Sequence, residues 1–147
     1  MKVFVAGDHL GNTLEKEIVK YLQENEIKVE GSNLKTYPTD DYPNFAKEVS
    51  EKVVENNGLG ILICGNGIGM SIAANKFKSI RAARVLTVDD AFKAKNHNGA
   101  NVITLDSNTP TDIVKGIVDA FITTKTPEEE RHLRRIQLIR DIENNEL

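Results

Sequence analysis

Gly60-Ile61-Leu62-Ile63-Cys64 is the most apolar run in the chain, and it stops abruptly at Gly65-Asn66-Gly67-Ile68-Gly69. A run this short, flanked by glycines, predicts a strand buried on both faces. Such a strand needs helices on both sides of its sheet. The rest of the chain alternates accordingly. Val3-Phe4-Val5-Ala6, closed by Gly7, predicts a second buried strand, and Ile27–Val29, Ala82–Leu86 and Asn101–Leu105 predict three more. Helical spacing fills the intervals. Leu14, Ile18, Tyr21 and Leu22 follow Asn12 and Glu15, a capping-box pair. Pro43 stands at a first helical position, with Phe45, Ala46, Val49 and Val53 on one face and a stop at Asn56-Asn57-Gly58. Ser71–Lys76 and Asp89–Lys95 read as helices. Thr109-Pro110 and Thr126-Pro127 read as caps of two more, with Asp112 and Glu129 in their first turns. The last helix carries Leu133, Ile136, Ile139 and Ile142 three apart, a stripe that must face either its own core or a partner subunit.

Composition narrows the function classes. A length of 147 residues fits one domain, 1–147. The single cysteine excludes an intrachain disulfide framework. A net charge of −3 argues against a general nucleic-acid binder. The amino-terminal MKVFVAGDHLG turns polar too soon for a signal peptide, and no apolar run approaches the roughly 20 residues that span a bilayer, so the expected setting is cytoplasmic.

In parallel α/β sheets ligands bind at the carboxyl ends of strands. That rule singles out Gly7-Asp8-His9, Cys64 to Met70, and the segment after Leu86. The glycines at 65, 67 and 69 let the backbone aim several N–H groups at one point, ahead of a helix N-terminus, which suits an anion or a developing oxyanion. The same glycines also fit a tight turn with no ligand. Met70 excludes the G-x-G-x-x-G dinucleotide fingerprint, and no G-x-x-x-x-G-K-[ST] occurs. Cys64 reads either as a small buried hydrophobe or as a thiolate acting as base or nucleophile beside those amides. Asp8-His9 reads as a loop pair with a capping role or as an acid–base pair. His97-Asn98 lies in a loop where a histidine is usually inert. Arg131 and Arg135 share a helix face and suit a phosphate, or pair with Glu128 to Glu130 on a solvated surface. His9, His97 and His132 show no metal-ligand spacing, Cys64 has no second cysteine, and no nucleophile elbow supports a serine triad.

Taken in order, Gly7-Asp8-His9-Leu10-Gly11, Asp41-Tyr42-Pro43, Gly60 to Lys76, His97-Asn98 with Asn101, and Arg131-His132 with Arg135 resemble the family of type B ribose-5-phosphate isomerases and galactose-6-phosphate isomerase subunits. The resemblance covers nearly the whole chain. It implies a Rossmann-like three-layer α/β/α sandwich with a mostly parallel five-stranded sheet and a C-terminal helical arm, about 127–143, at a subunit interface. It implies aldose–ketose isomerisation of a sugar phosphate through a cis-enediolate, without metal or organic cofactor, in a homodimer or dimer of dimers with shared active sites. Ribose 5-phosphate is the leading substrate. A hexose 6-phosphate of the allose or galactose type, or a non-catalytic partner subunit, is the alternative. Carried over by residue, the resemblance makes Cys64 the base and Gly65, Asn66, Gly67, Ile68 and Gly69 the cradle for the enediolate oxygen. It makes His97 with Asp8 the ring-opening pair, His9, Arg131 and Arg135 the phosphate contacts, and Tyr42 and Asn98 the sugar lining. Two positions depart from the pattern. Asn66 stands where ribose-type members usually have threonine or serine, and Asp106-Ser107-Asn108 stands where Gly-Ser-Arg or Gly-Ala-Arg is usual.

Overall fold

A computed structural model describes residues 1–147. In chain order the elements are β1 (Val3–Gly7), α1 (Asn12–Glu24), β2 (Val29–Glu30), α2 (Tyr42–Asn56), β3 (Leu59–Cys64), α3 (Ile68–Ala74), β4 (Ala82–Arg84), α4 (Val88–Asn96), β5 (Val102–Asp106), α5 (Thr111–Thr123) and α6 (Glu130–Glu143). The strands form one sheet in the order β2-β1-β3-β5-β4. Every pairing is parallel, so the sheet is parallel throughout rather than mostly so.

The period of two along each strand sorts the core into two layers. Val3, Val5, Ile61, Ile63, Ile103 and Leu105 face α1, α4 and α5, where Leu22, Ile117 and Phe121 are fully buried. Phe4, Ala6, Leu62, Cys64 and Val102 face α2 and α3, against Phe45, Val49, Met70 and Ala74. The apolar run Leu59–Cys64 is buried at every position because helices cover both its faces. Cys64 therefore opens from the α2–α3 layer, at the very end of the central strand.

Local signals placed the elements well but named the wrong caps. Glu15 does not close a capping box on Asn12. Gly11 occupies the cap, and the Glu15 carboxylate accepts the backbone N–H groups of Gly7 (2.8 Å) and Ser32 (3.2 Å). The Asn12 amide donates instead to Thr36 (3.0 Å). Chain returning after β2 brings these partners to the helix start, and they displace the local cap. Thr109 likewise turns its hydroxyl back to the Asp106 carbonyl (2.8 Å), which leaves Pro110 at the cap of α5. Thr126-Pro127 lies outside α6, which starts at Glu130. The edge strand β4 ends at Arg84, two residues earlier than expected, and Thr87 then caps α4 by accepting the Asp90 N–H (3.0 Å). The strand expected at Ile27–Val29 pairs only at Val29–Glu30. On α6, Ile136 is buried, whereas Leu133, Ile139 and Ile142 stay exposed, the last at 60%. No helix is long and apolar enough to cross a membrane.

Candidate active site

The strand order sets where a ligand enters. From β1 the chain moves to one edge through β2, and from β3 it moves to the other through β4. The sheet therefore switches direction between β1 and β3, and the crevice lies beyond their carboxyl ends. Those ends carry Asp8-His9 and Cys64-Gly65.

After Cys64 the backbone reverses within three residues. Gly67 holds φ at +80°, a left-handed conformation that glycine adopts without steric penalty. A Cβ at this position would also press on the Leu105 backbone at 3.1 Å. The reversal turns the Gly67 N–H onto the Cys64 Sγ at 3.2 Å. Asn66 closes the turn by accepting the Ile68 N–H on its side-chain oxygen (3.0 Å). The Tyr42 ring lies directly on Gly69, where an added Cβ would sit 2.5 Å from the ring. Tyr42, Cys64 and the glycine loop thus form one surface, joined by the packing of α2 on α3. The buried thiol thus accepts a backbone N–H from a loop whose glycines can turn peptide N–H groups toward a developing oxyanion.

Asp8 is buried at the end of β1. Its Oδ1 accepts the N–H groups of Leu10 (3.0 Å) and Gly11 (3.1 Å), so it shapes the turn. His9 points outward from that turn. Its backbone N–H and its Nδ1 both meet the Asp40 carboxylate, at 3.0 and 2.6 Å. Asp40 also accepts the Tyr37 N–H (3.0 Å), which pins the loop after β2 over the site. The bond to Asp40 raises the His9 pKa above its usual value, against the opposing effect of desolvation. One donor atom each from Asp8, His9 and Asp40 lies within 4.8 Å of the others; a hydrogen bond joins His9 to Asp40, while the Asp8 carboxylate bonds the Leu10 and Gly11 amides.

His97, Arg131 and Arg135 lie in a second cluster. The His97 ring stacks on His132 at 4.6 Å and 15°, with Phe92 edge-on at 6.3 Å. His132 is buried at the head of α6 and its Nε2 has no hydrogen-bond partner. Burial, and then the neighbouring Arg131 and His97, push the His132 pKa down. Arg131 is exposed and donates to Glu129 (2.8 Å), while Arg135 is exposed one turn on. Asn98 is exposed and lines an open cleft with Asn75, Arg81 and Ile139. No hydrogen bond or ring contact joins this cluster to Cys64 within the chain.

Four contributors escaped the sequence. Asp40 sits beside the Asp41-Tyr42-Pro43 motif, yet its bond to His9 spans 31 positions. Arg84, Thr104 and Ser107 reach the glycine loop from β4, β5 and the residues just beyond. No local pattern announces such contacts, because they depend on which strands pair.

The chain is thus a parallel α/β sheet with a buried thiol at its switch point and one backbone N–H held against it. The chain belongs to the ribose/galactose isomerase family, whose sequence model matches residues 3–139. It is 40% identical over 140 residues to a putative sugar phosphate isomerase of Rickettsia conorii, covering 94% of this chain and 96% of that one. It is 42% identical over 141 residues to a probable ribose-5-phosphate isomerase B of Mycoplasma genitalium, covering 93% and 92%. Among solved structures, ribose-5-phosphate isomerase B of Clostridium thermocellum superposes with a TM-score of 0.92 at 34% identity, covering 99% of each chain. The Mycoplasma genitalium enzyme with bound ribulose 5-phosphate superposes with a TM-score of 0.90 at 41% identity, covering 97% of this chain and 96% of that one.

Proposed function

We propose that this chain interconverts ribose 5-phosphate and ribulose 5-phosphate, with Cys64 as the base. The observation that carries the reading is the Gly67 N–H held 3.2 Å from the Cys64 Sγ at the carboxyl end of the central strand. In the open-chain aldose, the Cys64 thiolate takes the proton from C2 and the charge passes to the carbonyl oxygen at C1, giving a cis-enediolate in which the proton of the C2 hydroxyl moves across to the C1 oxygen. The thiol returns its proton to C1 and the oxygen at C2 becomes the new carbonyl. One base serves both carbons, and amides of the loop from Gly65 to Gly69 stabilise the charge that develops on oxygen. His97, with Asp8, opens the furanose ring. Tyr42 and Asn98 line the sugar. The reaction asks for no metal or organic cofactor.

His9, Arg131 and Arg135 hold the phosphate. Within one chain His97 and the arginines belong to a cluster with no contact to Cys64 or Asp8, and α6 leaves Leu133, Ile139 and Ile142 exposed. Both observations support a homodimer in which α6 of one subunit completes the site of the other. Purified protein incubated with ribose 5-phosphate, allose 6-phosphate and galactose 6-phosphate should convert the pentose fastest and sediment as a dimer or larger. Faster turnover of a hexose phosphate would reassign the substrate. No turnover of any would leave a non-catalytic subunit.

Asp40 gives this reading a pH signature. His9 is cationic below its pKa, and the bond to Asp40 raises that pKa, so the phosphate contact persists to higher pH. The charge is lost as pH rises through the raised value. Asp40→Asn should therefore make KM climb from a lower pH than in the unmodified protein, with kcat little changed. A KM–pH profile superimposable on the parent's would exclude the role.

A further inference from the structure

Three consecutive carbonyl oxygens of the glycine loop are each held by a side chain from the β4–β5 side of the sheet. Ser107 Oγ donates to the Gly65 carbonyl (3.4 Å), Arg84 Nε to the Asn66 carbonyl (2.7 Å), and Thr104 Oγ1 to the Gly67 carbonyl (2.7 Å). The last of these carbonyls also accepts the Ser71 N–H (3.2 Å) as α3 begins. Arg84 and Thr104 are register partners on neighbouring strands, so the two donors stand side by side.

The middle contact has a direct consequence at the thiol. In a trans peptide the C=O and N–H point in opposite directions. The peptide whose oxygen Arg84 holds is the one whose N–H belongs to Gly67, and that N–H meets the Cys64 Sγ at 3.2 Å. A guanidinium on the oxygen end fixes the plane of this peptide and polarises it, which strengthens the donor at the nitrogen end. The nitrogen end is where the thiolate must be stabilised.

We propose that Arg84 is a positioning residue for Cys64, acting through the Asn66–Gly67 peptide. The proposal rests on Cys64 being the base of the reaction. Arg84 makes no hydrogen bond to the thiol itself. It aligns the one amide that does touch the thiol, and Thr104 and Ser107 hold the flanking peptides in register. The arginine is exposed on a short edge strand, so its replacement leaves both core layers intact.

Because Cys64 is the chain's only cysteine, alkylation reports on it alone. Arg84→Gln should slow iodoacetamide labelling at pH 7 about fivefold and lower kcat for ribose 5-phosphate about tenfold, with KM within twofold. Arg84→Lys, which keeps a cationic donor, should recover most of both losses. Thermal melting should show both variants folded. Unchanged labelling and kcat in the glutamine variant would overturn the proposal. So would a rise in KM with kcat intact, since that would make Arg84 a phosphate contact. If the parent protein does not turn over ribose 5-phosphate, the proposed function fails, and the labelling comparison still decides the link between Arg84 and Cys64.

Discussion

Cys64→Ala should lower kcat for the isomerisation by about 1,000-fold, within the range that a positioned base contributes. Exchange of the C2 proton with solvent should disappear with it. Sugar-phosphate binding should survive, because the proposed phosphate contacts, His9, Arg131 and Arg135, lie outside β3. The fold should survive as well. Cys64 is 5% exposed, and its side chain packs at the rim of the α2–α3 layer, so losing one sulfur atom leaves a small cavity. The destabilisation should be about 1 kcal/mol, the lower end of core truncations. Isotope exchange into substrate, followed by NMR, separates the chemistry from binding measured by calorimetry. Retained exchange in the alanine variant would remove Cys64 as the base and send the search to Asp8 or His97.

Gly11→Ala should damage stability and activity together. A Cβ at Gly11 would lie 2.4 Å from the Ile63 carbonyl oxygen and 2.8 Å from the Ile63 Cβ. These are atoms of the central strand, one residue before Cys64, and cannot step aside as a surface side chain would. Relief requires the turn from Asp8 to Gly11 to lift off the end of β3, where the Asp8 N–H now donates to the same carbonyl (3.3 Å). The expected loss is about 3 kcal/mol, the upper part of the overpacking range. In a chain of this size that lowers Tm by about 10 °C. Since the same turn carries His9, kcat/KM should fall by more than tenfold. Gly31→Ala provides the contrast. Its Cβ would meet first the Glu15 Oε2 at 3.2 Å, an oxygen held by the Ser32 N–H that needs to give only a few tenths of an ångström, so Tm should fall far less than in the Gly11 variant. Equal Tm shifts in the two variants would refute the account of Gly11.

Much of the candidate site was legible because it lies in continuous segments. Cys64 and the loop to Gly69 announced themselves as an apolar run broken by alternating glycines, and Asp8-His9 by its place after the first strand. Helix caps were less legible. Asn12, Thr109 and Thr126 have the right residue type at the right spacing, yet none caps its helix through its side chain. A cap is worth about 1 kcal/mol, and a returning loop or a nearby carbonyl offers a hydrogen bond of similar worth. Local spacing cannot tell which competitor arrives.

The sequence by itself determined a sheet covered on both faces, because Leu59–Cys64 has no polar side to show to water. It also determined where that strand ends and that the single thiol stands there. Only the tertiary structure decided what holds the thiol's surroundings in place. Arg84, Thr104 and Ser107 reach the loop across 18, 37 and 42 positions of chain, and Asp40 reaches His9 across 31. Hydrophobic periodicity reports the face a residue presents, which is a local property. These contacts depend on β5 lying between β3 and β4 in a particular register, and on the loop after β2 folding back over β1. That order is set by the packing of whole elements against one another.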